Sequence, residues 1–199
     1  LAVELAGERQ ILNVNEASVS GHDPRTGKLL WEQEWRGNSN GDASTSQPIV
    51  LPNDRLLLTK GYGVGAALFA VRRNDAADYQ LEELWRRPRI LRTKFTSVAV
   101  HNGFAYGLSD GILECVELEP GVSRWKHRGF EHGQILLVGD QLLVLAESGE
   151  VALVEATPEA FRQHGVLQAL DGKTWNNLCL YGRLLLLRNG QEAGCWELP

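Results

Sequence analysis

Short apolar segments recur along the whole chain, and turn residues separate them. The segments are about four to eight residues long, are rich in Val, Leu, Ile and aromatic side chains, and alternate with Gly, Asn or Asp. Asn102-Gly103 and Asp110-Gly111 mark tight turns, because Asn, Asp and Gly tolerate the positive φ that hairpins require. The pattern around these turns predicts a four-stranded antiparallel meander with strands at residues 96–101, 104–108, 112–118 and 123–126.

The same layout repeats at intervals of about 40 residues. We predict units at residues 1–36, 37–88, 89–129, 130–170 and 171–199, with only three strands in the last one. A helix-like stretch at residues 158–163 is too short to be more than a turn between two strands. Repeated four-stranded antiparallel sheets of this length are typical of the blades of an all-β β-propeller. The sequence therefore predicts a single partial β-propeller domain of about four and three-quarter blades.

Two of the turns share a more specific pattern. An acidic residue is followed by Gly four positions later and by Trp eight positions later, once as Asp23, Gly27 and Trp31 and once as Glu117, Gly121 and Trp125. In our interpretation the acid accepts backbone N–H groups, Gly takes the left-handed position, and Trp docks onto the turn of a neighbouring blade. The second unit keeps Trp85 but has an insertion at residues 74–80 where the turn belongs, and the fourth unit lacks the Trp.

This pattern resembles the tryptophan-docking motif of the PQQ-like, or quinoprotein-type, propeller repeat family. Complete propellers of this family are rings of about eight blades. The resemblance implies a C-terminal fragment that either lacks N-terminal blades or associates with itself. Related propellers of the outer-membrane assembly lipoprotein type bind protein partners outside the cytoplasm, so we expect a binding or scaffolding module in the periplasm or cell envelope.

Composition narrows the functional classes. The formal net charge of −5 argues against nucleic acid as a partner, because phosphate binding relies on clustered Lys and Arg. No apolar run approaches the ~20 residues of a membrane-spanning helix. The three Cys give no disulfide framework and do not indicate the redox compartment. The chain has no Met and begins at Leu1, so we expect a processed or excised piece whose signal peptide, if one existed, is not in view.

Polar residues cluster in the connections that enter the innermost predicted strands. In a propeller these connections meet at the mouth of the central channel, where such folds bind ligands. We hypothesise a polar, mildly cationic site for a protein or small polar ligand, with Phe95 and Trp175 as stacking surfaces. The alternative is that the polar groups only satisfy backbone N–H and C=O groups. The candidate residues are Gln47, Lys94, Thr96, His132, Gln134, Lys173, Trp175, Asn176 and Asn177.

The family resemblance also raises the possibility of a dehydrogenase that uses pyrroloquinoline quinone (PQQ) and Ca²⁺. Such enzymes place a vicinal Cys pair against the quinone, but Cys115, Cys179 and Cys195 are far apart in sequence. Cys179 and Cys195 fall on the first and third strands of one predicted blade, about 9 to 10 Å apart and beyond disulfide reach. Asn40 and Asp42 supply too few oxygen ligands to indicate a Ca²⁺ site. We therefore predict no catalytic residues, no metal and no cofactor, and keep a fragment of a quinone-dependent enzyme as the alternative.

Three further patterns are ambiguous. His127 and His132 flank Glu131 and suggest a metal, although a solvated loop explains them better. The Gly-rich stretch at residues 61–65 resembles a dinucleotide loop, but no helix follows it, so we predict a hairpin connection. The basic residues between 86 and 94 either face an anionic partner or belong to a solvated strand.

Overall fold

The computed structural model describes residues 1–38, 42–74, 76 and 78–198. Within these ranges the chain forms nineteen β-strands and no helix. No described segment is therefore a helix that is long and apolar enough to cross a membrane. The chain divides into two compact units, residues 1–94 and 95–199, which we describe separately.

Unit 1 contains two four-stranded antiparallel sheets. The strands follow each other in space in chain order, so each sheet is a meander. Sheet 1 consists of β1 (Ala2–Leu5), β2 (Glu8–Val14), β3 (Ser18–His22) and β4 (Leu29–Glu34). Sheet 2 consists of β5 (Ile49–Leu51), β6 (Arg55–Lys60), β7 (Gly65–Arg73) and β8 (Tyr79–Arg87).

Unit 2 contains two more four-stranded meanders and a three-stranded one. Sheet 3 consists of β9 (Ala99–His101), β10 (Phe104–Ser109), β11 (Ile112–Glu117) and β12 (Val122–His127). Sheet 4 consists of β13 (Gln134–Val138), β14 (Gln141–Leu145), β15 (Glu150–Glu155) and β16 (Gln163–Gln168). Sheet 5 consists of β17 (Cys179–Tyr181), β18 (Leu184–Arg188) and β19 (Ala193–Glu197).

Sheet packing explains why the inner strands read as continuous apolar runs. The first seven residues of β7 are all buried, so both faces of that strand are covered. Trp35, Leu56 and Phe69 belong to a core between sheets 1 and 2. In unit 2, one core joins sheets 3 and 4, and another joins sheets 4 and 5. Neighbouring sheets within each unit thus shield each other's apolar faces.

The predicted turns form where Gly and Asn or Asp stand together. Asn102 and Gly103 have φ values of 47° and 83°, and Asp110 and Gly111 have values of 47° and 84°. These left-handed pairs close the hairpins on either side of β10. Residues 61–64 form the turn between β6 and β7, where the Val64 N–H donates to the Gly61 carbonyl oxygen at 3.1 Å.

Two predicted boundaries were wrong. β9 begins at Ala99 rather than at Thr96, because residues 96–98 belong to the connection before the strand. The predicted insertion at residues 74–80 is shorter, since β8 already begins at Tyr79. The predicted polar connection that contains Asn40 lies partly outside the described residues, which exclude residues 39–41.

Candidate functional site

Two aromatic side chains stack on each other at the surface of unit 2. The ring centroids of Phe95 and Trp175 lie 5.3 Å apart with an interplanar angle of 15°, and these residues are 39% and 40% exposed. The His132 ring meets Phe95 edge-on, with centroids 6.2 Å apart. Lys173 places its Nζ atom 4.6 Å from the centroid of the Trp175 ring. We call these four residues the Phe95–Trp175 platform.

Gln134, the first residue of β13, holds the backbone beneath the platform. Its buried side chain donates from Nε2 to the carbonyl oxygens of Phe95 at 2.6 Å and of Trp175 at 2.9 Å. Phe95 has a φ of 61°, a left-handed conformation that costs a bulky residue about 1 kcal/mol or more. Strained, exposed residues that the surrounding structure fixes in place are typical of functional sites.

Glu147 links the cation of the platform to sheet 4. Its Oε1 atom lies 3.7 Å from Lys173 Nζ, and its Oε2 atom accepts the backbone N–H of His132 at 3.3 Å. Lys173 lines an open cavity of about 390 Å³, and His132 lines an adjoining one of about 360 Å³. The platform and Glu147 beside it therefore combine exposed aromatic surface, both signs of charge and adjacent concave surface.

Glu147 is not among the site residues predicted from the sequence, although its position in the meander is a signal for it. Glu147 lies in the turn between β14 and β15, the second and third strands of a meander. In an antiparallel meander this turn lies at the same end as the connection that enters the first strand. Because the predicted site was built only from entering connections, it left out the turns that share their end of the sheet.

Three predicted mouth residues of unit 2 lie outside the platform, and two of them, Thr96 and Asn176, bond to the backbone or to a neighbouring strand. Buried Thr96 donates from its hydroxyl to the Ser97 carbonyl oxygen at 3.3 Å. The Asn176 amide faces Arg188, with its nitrogen 3.3 Å from the carbonyl oxygen and its oxygen 3.1 Å from Nη2. Asn177 is exposed. Thr96 and Asn176, like Gln134, thus bond to the backbone as the alternative interpretation expects.

The mouth residues of unit 1 are placed differently. Gln47 is exposed in the connection before β5. Lys94 is half-buried, with Nζ 5.2 Å from the centroid of the Tyr62 ring. The Asn38 amide donates to the Tyr62 carbonyl oxygen at 2.7 Å. Ligand binding by these residues stays a prediction.

The first docking turn is built around Asp23. Its Oδ1 atom accepts the backbone N–H groups of Thr26 and Arg25, each at 2.8 Å, and these bonds hold the pKa of the Asp23 carboxyl below its usual value. Gly27 has a φ of 71°, and its N–H donates to the Asp23 carbonyl oxygen at 2.9 Å. This turn has the internal geometry that the motif predicts.

The second docking turn differs in its acid but reaches the next sheet. Glu117 Oε2 accepts from Arg124 at 3.3 Å, and Gly121 has a φ of 62°. Trp125 Nε1 donates to the Thr157 carbonyl oxygen at 2.8 Å. Since Thr157 lies in the connection between β15 and β16, this Trp contacts the neighbouring sheet.

The Trp31 indole N–H does not bond to a neighbouring turn, although the buried Trp31 side chain belongs to the core between sheets 1 and 2. Trp31 Nε1 donates to Gln10 Oε1 at 2.7 Å, within its own sheet. Gln10 Nε2 in turn donates to the Leu5 carbonyl oxygen at 2.9 Å and to Tyr79 Oη at 3.2 Å. Because Gln10 Oε1 accepts this N–H, the buried indole has its acceptor without a carbonyl group from the connection between β7 and β8.

Tyr79 extends this network to the surface of unit 1. Its hydroxyl donates to Glu8 Oε2 at 2.9 Å. Burial, reinforced by this hydrogen bond, raises the pKa of Tyr79 to about 12. Arg73 Nη1 lies 2.7 Å from Glu8 Oε1, so the Glu8 carboxylate joins both side chains. This network is not predictable from the local sequence pattern, because it joins residues about 70 positions apart.

The remaining candidate groups from the sequence are His127 and the cysteines Cys179 and Cys195. The His127 ring stacks on Phe161, with centroids 3.5 Å apart, and the described residues contain no group of three or more His, Cys, Asp or Glu placed to hold a metal. Cys179 and Cys195 are exposed free thiols on β17 and β19, with Leu186 between them in the register. The quinone-dependent alternative remains a prediction.

Comparisons with known proteins identify the fold. A family model described as outer membrane protein assembly factor BamB matches residues 1–127. BamB from Moraxella catarrhalis superposes with a TM-score of 0.69 at 15% identity, covering 99% of this chain and 58% of that one. Sqt1 from Saccharomyces cerevisiae superposes with a TM-score of 0.69 at 10% identity, covering 96% and 55%. No curated protein matches the chain in sequence.

These similarities confirm the predicted all-β propeller fold of four-stranded antiparallel blades. They also confirm the predicted PQQ-like repeat. The chain spans a little over half the length of the solved structures that it matches. At these identities the structural likeness shows the fold and leaves function to be argued from the site.

Proposed function

Because the chain belongs to the family of the outer membrane protein assembly factor BamB, we propose that it is a non-catalytic binding module that holds a protein partner on the Phe95–Trp175 platform. The family description, an assembly factor, supports a role in binding. The more specific proposal, that the partner binds at the platform, rests on the residues of the platform themselves. Exposed aromatic side chains beside a cation are the residue types that dominate binding energy in protein interfaces.

The two hydrogen bonds of Gln134 are the observation that supports this site most directly. Buried Gln134 bonds to the carbonyl oxygens of both Phe95 and Trp175, so the backbone that carries the two stacked rings is held in place before a partner arrives. A surface that is ordered in advance loses little conformational entropy on binding. Lys173, which lies over the Trp175 ring and 3.7 Å from Glu147 Oε1, adds charge that can select a partner.

The family also supports a location. We place the protein in the periplasm or cell envelope, as an extracytoplasmic member of this family. Fractionation of cells that make the protein tests this placement, with recovery in the envelope or periplasmic fraction as the expected result.

Site-specific photocrosslinking tests the platform while the partner is unidentified. We replace Trp175 with p-benzoylphenylalanine in cells that make the protein and expect a discrete covalent adduct with another polypeptide after irradiation. The matched control carries the same group at Leu84, which is 43% exposed on β8 and outside the platform. Equal adducts at both positions, or none at Trp175, would contradict the proposal.

Once crosslinking has identified the partner, affinity measurements show how much each platform residue contributes to the free energy of binding. We expect Trp175→Ala and Phe95→Ala each to weaken binding by about 30-fold, the effect of removing an aromatic hot spot worth about 2 kcal/mol. Lys173→Ala should weaken binding less and reduce its dependence on salt. Unchanged affinity in both aromatic variants would remove the platform from the interface.

A further inference from the structure

An apolar cavity lies between sheets 4 and 5 of unit 2. It has a volume of about 390 Å³, and every residue that lines it is apolar. Sheet 4 supplies Leu143, Leu153 and Gly165, which are register partners across β14, β15 and β16. Leu185 and Leu198 line the cavity from sheet 5. One wall of the cavity is therefore a row of three positions, and the position on the outer strand has no side chain.

The other four-stranded sheets carry Trp at the position of Gly165. In each of these sheets the pairing between the third and fourth strands shifts register once. The fourth-strand residue that pairs just before this shift is Trp31 in sheet 1, Trp85 in sheet 2 and Trp125 in sheet 3. In sheet 4 the same position is Gly165. Three of the four sheets thus place an indole where sheet 4 has none.

The residue that pairs with Gly165 is more open than its counterparts. The residues that pair with the three Trp side chains are Gly21, Leu68 and Cys115, and all three are buried. Leu153, which pairs with Gly165, is half-buried. A Cβ atom at Gly165 would meet nothing within 4 Å. Space for a side chain is therefore present beside Leu153.

The Trp of sheet 5 does not line this space. Trp196 on β19 packs against the core between sheets 4 and 5, but it is not among the residues that line the cavity. Its ring lies over Gly194, where an added Cβ atom would overlap the indole. This indole therefore covers its own strand and leaves the cavity open.

We propose that the cavity beside Gly165 binds the indole side chain of a Trp residue in a partner protein. The indole packs on Leu153 and takes the place in sheet 4 that Trp31, Trp85 and Trp125 take in the other sheets. No charged or polar side chain lines the cavity, so the apolar surface of an indole complements it. Aromatic side chains that fill such pockets are typical hot spots of protein interfaces.

The open form of the cavity favours a side chain of a polypeptide over a free small molecule. Sites for small molecules bury about 70–90% or more of the ligand surface. Here Val166 in the lining is 53% exposed, and Leu167 beside it is half-buried. The residues that flank a Trp in a partner can cover this remaining apolar surface. The cavity shares no residue with the Phe95–Trp175 platform, so the inference does not depend on the function proposed for that platform.

A blocked tripeptide, N-acetyl-Ala-Trp-Ala amide, is the probe. It is titrated into protein with ¹³C-labelled Leu and Val methyl groups and followed by NMR. We expect shifts at Leu153, Leu167 and Leu198 that saturate with a Kd of about 5 mM or tighter, since a single side chain binds weakly. N-acetyl-Ala-Leu-Ala amide should bind at least threefold more weakly, because Leu buries less apolar area than an indole.

A protein variant that fills the cavity provides the second test. Gly165→Trp should weaken tripeptide binding at least tenfold and raise the Tm by about 2–8 °C, because its own indole occupies the space. Gly190→Trp is the matched control. Gly190 is exposed in the turn between β18 and β19, does not line the cavity, and also has nothing within 4 Å of an added Cβ atom. This control should keep the wild-type binding and Tm.

Four results would overturn the inference, and the titrations of the wild-type protein do not depend on either variant. The shifts at Leu153 and Leu167 do not saturate up to about 20 mM tripeptide. The tripeptide with Leu binds as tightly as the one with Trp. Gly165→Trp binds the tripeptide as well as the wild type does, or Gly190→Trp loses the binding too. Indole alone saturates the cavity whereas the tripeptide does not, which makes the cavity a site for small aromatic molecules.

Discussion

In each unit, one buried Gln side chain bonds to several groups of aromatic residues. Gln10 is fully buried and receives the Trp31 indole N–H, while its own N–H groups reach Leu5 and Tyr79. Gln134 likewise bonds to Phe95 and Trp175. An amide can donate and accept at once, so one side chain satisfies groups from several segments. Gln10 thus bonds to the aromatic side chains themselves, and Gln134 bonds to the backbone that carries them.

Removal of Gln10 tests this role in unit 1. Gln10→Ala leaves the buried Trp31 N–H without its acceptor, so we expect the free energy of unfolding to fall by about 1–3 kcal/mol. Gln33→Ala is the control, because the Gln33 amide only contacts the adjacent Glu34 carbonyl oxygen. Urea unfolding followed by Trp fluorescence measures both. Equal stability of the two variants would argue against a structural role for Gln10.

The buried Cys115 thiol makes the free energy of unfolding depend on pH in the alkaline range. Burial raises the pKa of the thiol from about 9 to about 11, so the folded state holds this proton more tightly than the unfolded state does. The stabilisation is complete below pH 9 and is lost as the pH rises to 11. We expect wild-type stability to fall by about 1–3 kcal/mol more than that of Cys115→Ala over this interval.

The control for this measurement is Cys179→Ala, because Cys179 is exposed. It should keep the wild-type slope of unfolding free energy against pH. Tyr79, with its raised pKa, adds to the slope in every variant, so the informative quantity is the difference between slopes. Parallel curves for wild type and Cys115→Ala would refute the assignment.

At the scale of strands, glycine has opposite roles in two elements. A Cβ atom at Gly21 in β3 would overlap the Trp31 indole and the Gln10 amide. A Cβ atom at Gly165 in β16 would meet nothing within 4 Å. Both residues lie in strands and have no positive φ. A comparison of substitutions at these two positions therefore separates the effect of side-chain packing from the effect of backbone strain.

We expect Gly21→Ala to destabilise unit 1 by about 1–3 kcal/mol, because the indole and its hydrogen bond must move. Gly165→Ala should be neutral or stabilising by about 0.5 kcal/mol, since Gly weakens strand interiors. Thermal unfolding of the two variants beside wild type measures the contrast. A Gly21→Ala protein as stable as Gly165→Ala would show that Trp31 does not pack on β3 as described.

Strands and turns followed from the sequence because their determinants are local. Alternating apolar residues and Asn-Gly or Asp-Gly turns predicted most strands within a few residues. The boundary at Thr96 was wrong because its side chain is buried without belonging to the sheet, and Phe95 before it adopts a left-handed backbone. The sequence gives no sign that Gln134 reaches two connections about 40 residues away on either side.

The burial of a charged side chain, that of Lys60, could not be predicted from the sequence either. Lys60 ends β6 and is 1% exposed, although Lys is almost never fully buried. Its Nζ atom donates to the Glu16 carbonyl oxygen at 3.0 Å, and burial lowers its pKa. Only long-range packing decides such an outcome. The aromatic part of the platform was predictable because its residues lie in polar connections, where exposed rings are conspicuous.

For the whole molecule, the outer face of sheet 5 is an open surface that carries several exposed apolar side chains. Leu185 and Leu187 pack toward sheet 4, and the alternate residues point the other way. Leu184 and Leu186 are 42% and 43% exposed, and Tyr181 is 78% exposed. Apolar surface of this kind favours association in water. The predicted self-association is therefore expected to involve this face.

Sedimentation velocity tests this expectation. The wild-type sedimentation coefficient should rise with protein concentration, and Leu186→Lys should abolish the rise, because a charged group cannot be buried there without a partner. The control is Leu84→Lys, which places the same charge at an equally exposed leucine on β8. A wild-type protein that stays monomeric at all concentrations, or a loss of association in both variants, would exclude this face.

The internal acceptor of Trp31 also has a consequence for engineering. Since Gln10 completes that hydrogen bond, the loop between β7 and β8 can be lengthened or exchanged while the indole keeps its partner. The loop between β15 and β16 has no such latitude, because Trp125 depends on Thr157 within it. Foreign sequences are thus better grafted into the first loop than into the second.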